Sequence, residues 1–432
     1  MKLHPLLLIL TLTTNFAMAE TLELPEAIQE AREHSPTLQR FHAAFEETKW
    51  RKFETLGSGF LPNLSANASH YFDEKYELLN VPFNGQQILF PSIYPTSNAS
   101  IDISIPIFDG FANISHLKAA NLNVDASENE LSHADFQLEQ DIRLAFYQAL
   151  GAQELESVAQ QNVKTLEDHL KIAEARKTGG SGTNYDVLRV QVQLTEAKTD
   201  ELNAVDNVTI SRHKLTQLLG LRQDSRELRG DLPVPHVESV QNLVLNDSPE
   251  DRTDIKALDL RSEAADQDRS ARARWMIPSV SLGADYTFYN PLNNSITQSD
   301  PFHSAYNVGI FLQWKLFDGG VSLARSQEAK YQQVQADRAS EEAKDQIPYD
   351  FELWKRKYLT NAARYDAKKL DVTRSEESIR LARAEESAGT RNSTEVLDAE
   401  LDLFRSKAGV VDALLSSAEA QVQLEKTLGR KL

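Results

Sequence analysis

Four short stretches of the chain alternate between apolar and polar positions. In the stretch 60–72, leucine, alanine, histidine and phenylalanine occupy every second position from residue 64, with serine and asparagine between them. The stretches 98–108, 276–288 and 305–317 show the same alternation. A period of two over about ten residues predicts β-strands with one apolar face, and this length suits a transmembrane strand. A half-buried strand of a soluble sheet would give the same pattern.

Spacings of three and four residues replace this alternation after each strand pair. From about residue 111 to residue 177, alanine and leucine recur at that interval, which predicts a very long helix with a coiled-coil-like seam. Asp109 and Asp318 precede the two long segments, where a carboxylate can cap free backbone N–H groups. The stretches 178–184 and 388–391 predict turns, each followed by a shorter return helix. Each half of the chain is therefore predicted to contain a helical hairpin.

Prolines mark a helix start, a helix interior and a linker in this pattern. The helical stretch 25–56 precedes the first strand pair and starts at a proline. Pro348 lies inside the second long helical segment, where it removes a backbone hydrogen bond and predicts a kink or a break. Residues 221–253, with Pro233 and Pro235, predict an extended linker between the two halves.

The two halves are copies of one another. "IPIFDGFANISHLKAANL" starts at Ile105 and aligns with "WKLFDGGVSLARSQEAKY", which starts at Trp314, at an offset of 209 (314 − 105). The same offset carries Asp186 onto Glu395. The first strand of each copy matches at an offset of 216, so the loop 73–98 of the first copy is seven residues longer (216 − 209). The predicted division is a signal peptide at 1–19, a first repeat at 20–220, a linker at 221–253 and a second repeat at 254–432.

Composition narrows the class of protein. The first nineteen residues combine Lys2, an apolar run at 6–12 and the small residues "AMA", which indicates a cleaved secretory signal peptide. The chain has no cysteine, which excludes disulfides, thiolate metal sites and a cysteine-linked lipid anchor. Its net charge of -18 argues against nucleic acid as a partner. The sequence offers no run of eighteen apolar residues for a membrane-spanning helix.

Enzymatic chemistry finds no support in the motifs. The ten histidines are scattered, no serine sits in a nucleophile elbow, and "GGSG" lacks the lysine of a phosphate-binding loop. We therefore expect no enzyme activity, no cofactor and no metal site.

Closure of the strands decides the expected architecture. Four strands cannot close a membrane barrel, because bacterial barrels need at least eight, and an open sheet edge in lipid leaves backbone groups unsatisfied. Several chains must then share one barrel, and three copies supply twelve strands. The predicted fold is mostly α with a small β part. It is a tandem repeat of strand pair plus long helical hairpin, assembled as a trimeric 12-stranded outer-membrane β-barrel that continues as a periplasmic α-helical barrel.

These features resemble the TolC family of outer-membrane efflux proteins. The resemblance rests on the paired "PIFDG" and "KLFDGG" blocks, the duplicated order of elements, and "AGTRNSTEVLDAE", which resembles the second periplasmic turn of the family. It implies a homotrimeric exit duct in the outer membrane of a Gram-negative bacterium, in contact with lipid. It also implies a periplasmic adaptor and an inner-membrane transporter of the RND, ABC or MFS type, for efflux or type I secretion. The alternative is an adaptor-like or secreted coiled-coil protein without a pore.

The resemblance also assigns roles near the helical turns. Arg391 matches the arginine that ties neighbouring coils together at the periplasmic gate, and Asp186 matches the carboxylate that this arginine engages. Glu386 takes the place of a tyrosine of the family's second turn. An arginine–carboxylate pair across a moving interface forms a releasable latch.

An acidic strip follows the second turn. Glu395, Asp398 and Asp402 lie at spacings of three and four, which places them on one helix face, and the resemblance implies acidic rings in the pore. The first copy has an aspartate, an arginine and a glutamine at the matching positions, so the strip belongs to the second copy alone. A solvated face of an ordinary hairpin is the alternative.

The tips of the two hairpins are the expected contacts for the adaptor. An ordinary tight turn between two helices would use the same residue types. The tip residues are Gly180, Gly182, Gly389 and Thr390.

Overall fold

A computed structural model describes residues 21–70, 77–92, 97–245, 252–290, 303–388, 390 and 393–432. The expected signal peptide lies outside these residues. The chain divides into two compact units, which cut across the two sequence repeats. Unit 1 comprises Met1–Arg40, Ser132–Pro249 and Asp345–Leu432, and unit 2 comprises Phe41–Leu131 and Glu250–Lys344.

Helices make up most of the described chain. Two of them, α3 and α7, have 67 residues each, and each is followed by a return helix of about half that length. The helices are α1 (Leu24–His34), α2 (Pro36–Phe60), α3 (Ala112–Thr178), α4 (Asn184–Leu218), α5 (Val237–Gln241), α6 (Thr253–Ala273), α7 (Val321–Ser387) and α8 (Ser393–Leu428).

Two expectations about helix continuity need correction. The stretch 25–56 forms two helices, because Ser35 leaves the helical conformation ahead of Pro36, as a residue before proline tends to do. Of the kink or break predicted at Pro348, the break is wrong, since α7 continues through this residue, and the kink stays a prediction. The proline removes one N–H donor and therefore one hydrogen bond of the helix. The helix is maintained around it, where Ile347 and Phe351 are buried.

The main sheet belongs to unit 2 and has four antiparallel strands in the order β2-β5-β7-β8. Each copy of the repeat contributes two neighbouring strands, and β2 and β8 form the open edges. The strands are β2 (Asn63–His70), β5 (Ser97–Phe108), β7 (Ser279–Asn290) and β8 (His303–Gln313).

A second, two-stranded sheet lies within the longer loop of the first copy. Strands β3 (Glu77–Phe83) and β4 (Gln86–Ser92) pair through a two-residue turn. Asn84 and Gly85 both have positive φ, as the turn that matches strand twist requires. The loop expected at 73–98 therefore contains a β-hairpin, in the part of the first repeat that does not align with the second.

Unit 1 contains several apolar clusters, and the largest lies where α1, α3, α4, α7 and α8 meet. Strand β1 (Thr21–Glu23) pairs in parallel with β6 (Glu227–Arg229), so the linker between the repeats is bound to the start of the chain. Arg226 reinforces this pairing with hydrogen bonds to Asp224 and, at 2.6 Å, to Glu30 of α1. The core includes Leu22, Ala31, Ile142, Phe146, Leu215, Leu219, Val411 and Leu414.

The long helices of unit 2 start as the sequence predicts. Asp109 Oδ2 accepts the backbone N–H of Asn113 at 2.6 Å, and Asp318 accepts the backbone N–H and the hydroxyl of Ser322. These bonds satisfy donors that a helix start leaves free. Within this unit, Arg261 of α6 also makes a two-pronged hydrogen bond to Glu130 of α3.

Candidate functional site

Glycine permits the tight turn between α3 and α4. The backbone N–H groups of Ser181 and Gly182 both donate to the carbonyl of Arg176, at 2.9 and 3.0 Å. Gly180 has φ of +75°, and a Cβ at Gly182 would lie 3.0 Å from the Cβ of Arg176. The left-handed backbone at Gly180 therefore favours glycine, and the close approach to Arg176 leaves little room for a side chain at position 182. Any contact these tips make with a partner comes in addition to this structural role.

Asp186 takes part in the start of α4. Its Oδ2 accepts the Thr183 hydroxyl at 2.7 Å and the Thr183 backbone N–H at 2.9 Å, while the Thr183 hydroxyl oxygen accepts the Asp186 N–H. This reciprocal arrangement is a capping box. The hydrogen bonds from the Thr183 hydroxyl and backbone hold the pKa of Asp186 below its ordinary value, and the charge of Arg176 adds to the effect. The site thus keeps an ionised carboxylate at one hairpin tip.

The second turn is described only in part. Thr390 donates both its backbone N–H and its hydroxyl to the carbonyl of Glu385, each at 3.0 Å, which closes the end of α7. Gly389 and Arg391 lie outside the described residues. The latch between Arg391 and Asp186 therefore stays a prediction.

Glu386 connects the ends of the two long helices. Arg176 Nη1, near the end of α3, donates to Glu386 Oε1, near the end of α7, at 2.8 Å. The two side chains are only partly exposed. A negative residue at position 386 thus gives this chain an ion pair between its hairpins. Sequence reasoning named Glu386 but did not find its partner.

The acidic strip lies on the exposed side of α8. Glu395, Asp398 and Asp402 are exposed, whereas Val396 and Leu397 between them are buried. The three carboxylates therefore share a face, as the spacing predicts.

One of these carboxylates is paired with its own repeat counterpart. Arg189 of α4 lies 209 positions before Asp398 (398 − 189), and its Nη2 donates to Asp398 Oδ1 at 3.0 Å. Matching positions of the two copies therefore face each other with opposite charges. This contact reduces the net negative charge of the strip.

Beside the strip, the buried Glu400 contacts an arginine and a histidine, contacts that helical spacing does not predict. Glu400 is almost fully buried, accepts a hydrogen bond from Arg383 Nη2 at 2.8 Å, and lies 2.6 Å from Nε2 of His169. These side chains come from α8, α7 and α3, so one carboxylate joins both hairpins. The signal in the sequence is that Glu400 falls three and four positions after the apolar Leu397 and Val396, on the buried face.

The main sheet has two chemically different faces. Residues paired across neighbouring strands share a face, and one row across all four strands is wholly apolar. That row comprises Leu64, Ile103, Ala284 and Val308.

The next row, on the opposite face, is polar. Asp102 and Asp285 are direct cross-strand partners, and each carboxylate accepts an amide hydrogen bond, from Asn67 at 2.9 Å and from Asn307 at 3.3 Å. Like charges in this position repel, and these amide donors moderate the repulsion. A sheet with one apolar and one hydrated face suits the wall of a membrane pore.

Within the described part of the chain, no group of three or more histidine, aspartate and glutamate side chains is placed to hold a metal ion. None of the described helices combines the length and the apolar character needed to cross a membrane.

A duplicated strand pair continued by long helical hairpins, with charged contacts at the hairpin ends, defines a class of outer-membrane channel. Residues 27–221 and 244–430 match the family described as outer membrane efflux protein, and the chain belongs to that family. It is thus an efflux or secretion channel protein of the outer membrane and not an enzyme.

Individual relatives agree with this assignment. Outer membrane protein TolC of Escherichia coli (strain K12) is 21% identical over 447 residues, covering 99% of this chain and 86% of the relative. The proteases secretion protein PrtF of Dickeya chrysanthemi is 22% identical over 316 residues, covering 67% of this chain and 64% of the relative. The outer membrane protein VceC of Vibrio cholerae has the same fold, with a TM-score of 0.74, 17% identity, and coverage of 94% of this chain and 96% of that structure.

Proposed function

We propose that three copies of this chain form one continuous exit duct through the periplasm and the outer membrane. The duct passively conducts substrates delivered by an inner-membrane transporter of the RND, ABC or MFS type, which a periplasmic adaptor couples to the hairpin tips. The observation that carries the proposal is that a surface which is buried in the second repeat is exposed at the matching positions of the first repeat.

The open surface lies on α4. Leu188 and Leu202 are 52% and 61% exposed, while their repeat counterparts on α8, Leu397 and Val411, are 4% and 6% exposed. Both α8 residues lie in buried clusters that include residues of α3, the long helix of the other repeat, and the cluster of Leu397 also includes residues of α4. The repeat relates α3 to α7 and α4 to α8, so we expect α7 of another chain to cover α4 in the same way. Such a head-to-tail contact generates a ring when its rotation closes.

The open sheet edges support the same arrangement. Among the described strands, β2 and β8 each have a partner on one side alone, and a ring would pair β8 of one copy with β2 of the next. Two copies would supply eight strands, as in the smallest bacterial barrels. Side chains fill the interior of a barrel of that size. Three copies supply twelve and leave a lumen for transport.

Cross-linking tests this ring directly. Within one chain, α3 and α8 approach closely where a Cβ on Gly151 would lie 2.6 Å from Leu415. The counterparts of these positions are Thr360 on α7 (151 + 209) and Asp206 on α4 (415 − 209), and both are exposed. Because the chain has no cysteine, Asp206→Cys with Thr360→Cys should give disulfide-linked trimers on a non-reducing gel.

Each single cysteine variant serves as the control. A head-to-tail contact places two different residues opposite each other, so neither single variant should cross-link efficiently. A double variant that stays monomeric after oxidation, while folded, contradicts the proposed ring.

The proposed gate lies at the hairpin tips, where the acidic strip of α8 faces the pore and Arg391 engages Asp186 of a neighbouring copy. Arg391→Ser should then raise the single-channel conductance of purified protein in planar bilayers severalfold. Its pairing partner offers a second check, since Asp186→Asn should have a similar effect. An Arg391→Ser pore with the conductance of the natural chain removes the latch from the proposal.

A further inference from the structure

A buried carboxylate joins three helices near the ends of the hairpins. Glu400 lies on α8, seven residues after the helix begins at Ser393 (400 − 393). Arg383 Nη2 of α7 donates to its Oε1 at 2.8 Å, and His169 Nε2 of α3 lies 2.6 Å from its Oε2. We call Glu400, His169 and Arg383 the Glu400 clamp; all three belong to unit 1. The clamp holds the start of α8 against both α3 and α7.

The contact between Glu400 and His169 depends on a proton. Glu400 Oε2 is buried and accepts no well-directed hydrogen bond from the described residues, so the nearby imidazole is what can offset its charge. A ring nitrogen without a proton would present a lone pair to this oxygen and repel it. Imidazolium instead forms an ion pair, and water screens it little, because the two side chains are 16% and 5% exposed. The strength of the contact therefore follows the charge of His169.

The other charges around the clamp are constant at the pH where histidine titrates. Histidine ordinarily changes its charge between pH 5 and 8, whereas carboxylates, lysine and arginine do not. The charged residues that flank the clamp on the four helices pair as Glu167–Lys198, Asp168–Lys171, Arg176–Glu386, Arg189–Asp398 and Glu376–Lys407. A change between pH 6 and pH 8 in this set of residues therefore comes from His169.

The clamp is confined to the contact between the two hairpins of one chain. The repeat offset relates Glu400 to Gln191 (400 − 209) and His169 to Ser378 (169 + 209). In the proposed ring, the contact of α3 with α8 recurs between α7 of one copy and α4 of the next. An amide and a hydroxyl would meet there, and neither titrates near neutral pH. Three of the six hairpin contacts in a trimer would thus respond to pH.

Building on the proposed channel, we propose that the Glu400 clamp is a pH-sensitive switch of the periplasmic gate. In mild acid the charged imidazole holds α8 against α3, and the contact weakens as the pH rises and His169 loses its proton. Glu395, Asp398 and Asp402 lie on the opposite, exposed side of α8, so a looser clamp lets the acidic strip move. The duct is therefore closed more firmly at pH 6 than at pH 8.

Hydrogen exchange of the α8 backbone tests the clamp without requiring a pore. After correction for the intrinsic effect of pH, amides 397–404 of the purified natural chain should be protected about threefold more at pH 6 than at pH 8, because the ion pair opposes local opening. His169→Gln carries no charge and should show equal protection at both pH values. His169→Lys stays charged and should keep the higher protection at both. Equal or reversed protection in the natural chain overturns the clamp.

His116→Gln is the matched control. His116 of α3 also contacts an acid, Asp268 of α6, at 3.0 Å, but this pair is more exposed and belongs to unit 2. The variant should retain the pH dependence of the α8 amides. If His116→Gln abolishes that dependence as fully as His169→Gln does, the effect is not local to Glu400 and the clamp is refuted.

Single-channel conductance connects the clamp to the gate. In planar bilayers the natural chain should conduct about twofold more at pH 8 than at pH 6, because proton binding shifts the population toward the closed state. His169→Gln should conduct equally at both pH values. A pH effect on hydrogen exchange without one on conductance overturns the switch and leaves the channel standing. A chain that forms no pore at either pH overturns the proposed channel and with it the switch, while hydrogen exchange still decides on the clamp.

Discussion

At the scale of single residues, Glu425 is the most deeply buried acid of the described chain. It is fully buried on α8, where Arg143 Nη1 of α3 donates to its Oε2 and Gln421 donates to its Oε1 at 3.1 Å. A buried ion pair gains little over a well-packed apolar pair, but removal of one partner leaves an uncompensated charge.

Glu425→Ala should therefore destabilise the protein strongly, by about 3–5 kcal/mol. Thermal unfolding of the purified protein, followed by circular dichroism at a fixed scan rate, measures this loss. Replacing both partners, as Arg143→Met with Glu425→Leu, should recover most of it. Glu377→Ala is the control, because its pair with Arg380 is exposed and lies within one helix, so the unfolding temperature should barely change. A double variant no more stable than Glu425→Ala contradicts this account.

Asp186 makes the first hairpin tip sensitive to acid. Its pKa is lowered in the folded chain, so the capping box stabilises the tip fully above the ordinary pKa of an aspartate, about 3.9, and loses this effect as the pH falls through the folded pKa. Hydrogen exchange of the Thr183 amide, corrected for its intrinsic pH dependence, should be protected at pH 6 and faster near pH 3. In Asp186→Asn the protection at pH 6 should fall, and most of the dependence on pH should disappear.

At the scale of elements, charged pairs connect the two hairpins within one chain. Arg176–Glu386 joins α3 to α7, and Arg189–Asp398 joins α4 to α8. Pairs as exposed as these contribute at most about 1 kcal/mol to stability. Their position at the hairpin ends matters more, because it fixes the spacing of helices that border the proposed gate.

Reversing one charge of Arg176–Glu386 should loosen that end of the channel. Arg176→Glu places two negative charges together and should raise the single-channel conductance severalfold, whereas Arg176→Glu with Glu386→Arg should restore the low value. Lys171→Glu is the matched control, since the ion pair of Lys171 with Asp168 lies within one helix and does not join the two hairpins. Equal conductance in Arg176→Glu and Lys171→Glu refutes a gating role for the pair.

Sequence periodicity predicted the elements better than it predicted their partners. The strand pairs and long helices follow from local patterns of two and of three to four residues, which the packing of both units respects. Glu400 shows the opposite case. Its burial depends on His169 and Arg383, which lie far away in sequence, and helical spacing alone marks it only as an acid on an apolar face. The hairpin β3–β4 was missed because its segment does not align between the repeats, although Asn84-Gly85 is the local signal of a two-residue hairpin turn.

At the scale of the whole molecule, the ion pairs should determine which carboxylates act on permeating ions in the proposed pore. Asp398 is partly neutralised by Arg189, so Asp402→Asn should reduce the cation preference of the open pore more than Asp398→Asn does. Arg189→Gln should raise the cation preference, because it frees Asp398. Reversal potentials across a salt gradient measure all three variants, and an unchanged preference in Arg189→Gln contradicts the argument.

The contact between Arg189 and Asp398 has a consequence for the symmetry of the assembled wall. In a ring of three chains, six nearly equivalent hairpins repeat every sixty degrees in shape. Their chemistry repeats only every one hundred and twenty degrees, since the positive residue always comes from the first copy and the negative one from the second. In the proposed ring, the backbone would keep an approximate sixfold symmetry while the charges follow a threefold one. The duplicated halves would thus share a shape and differ in their electrostatics.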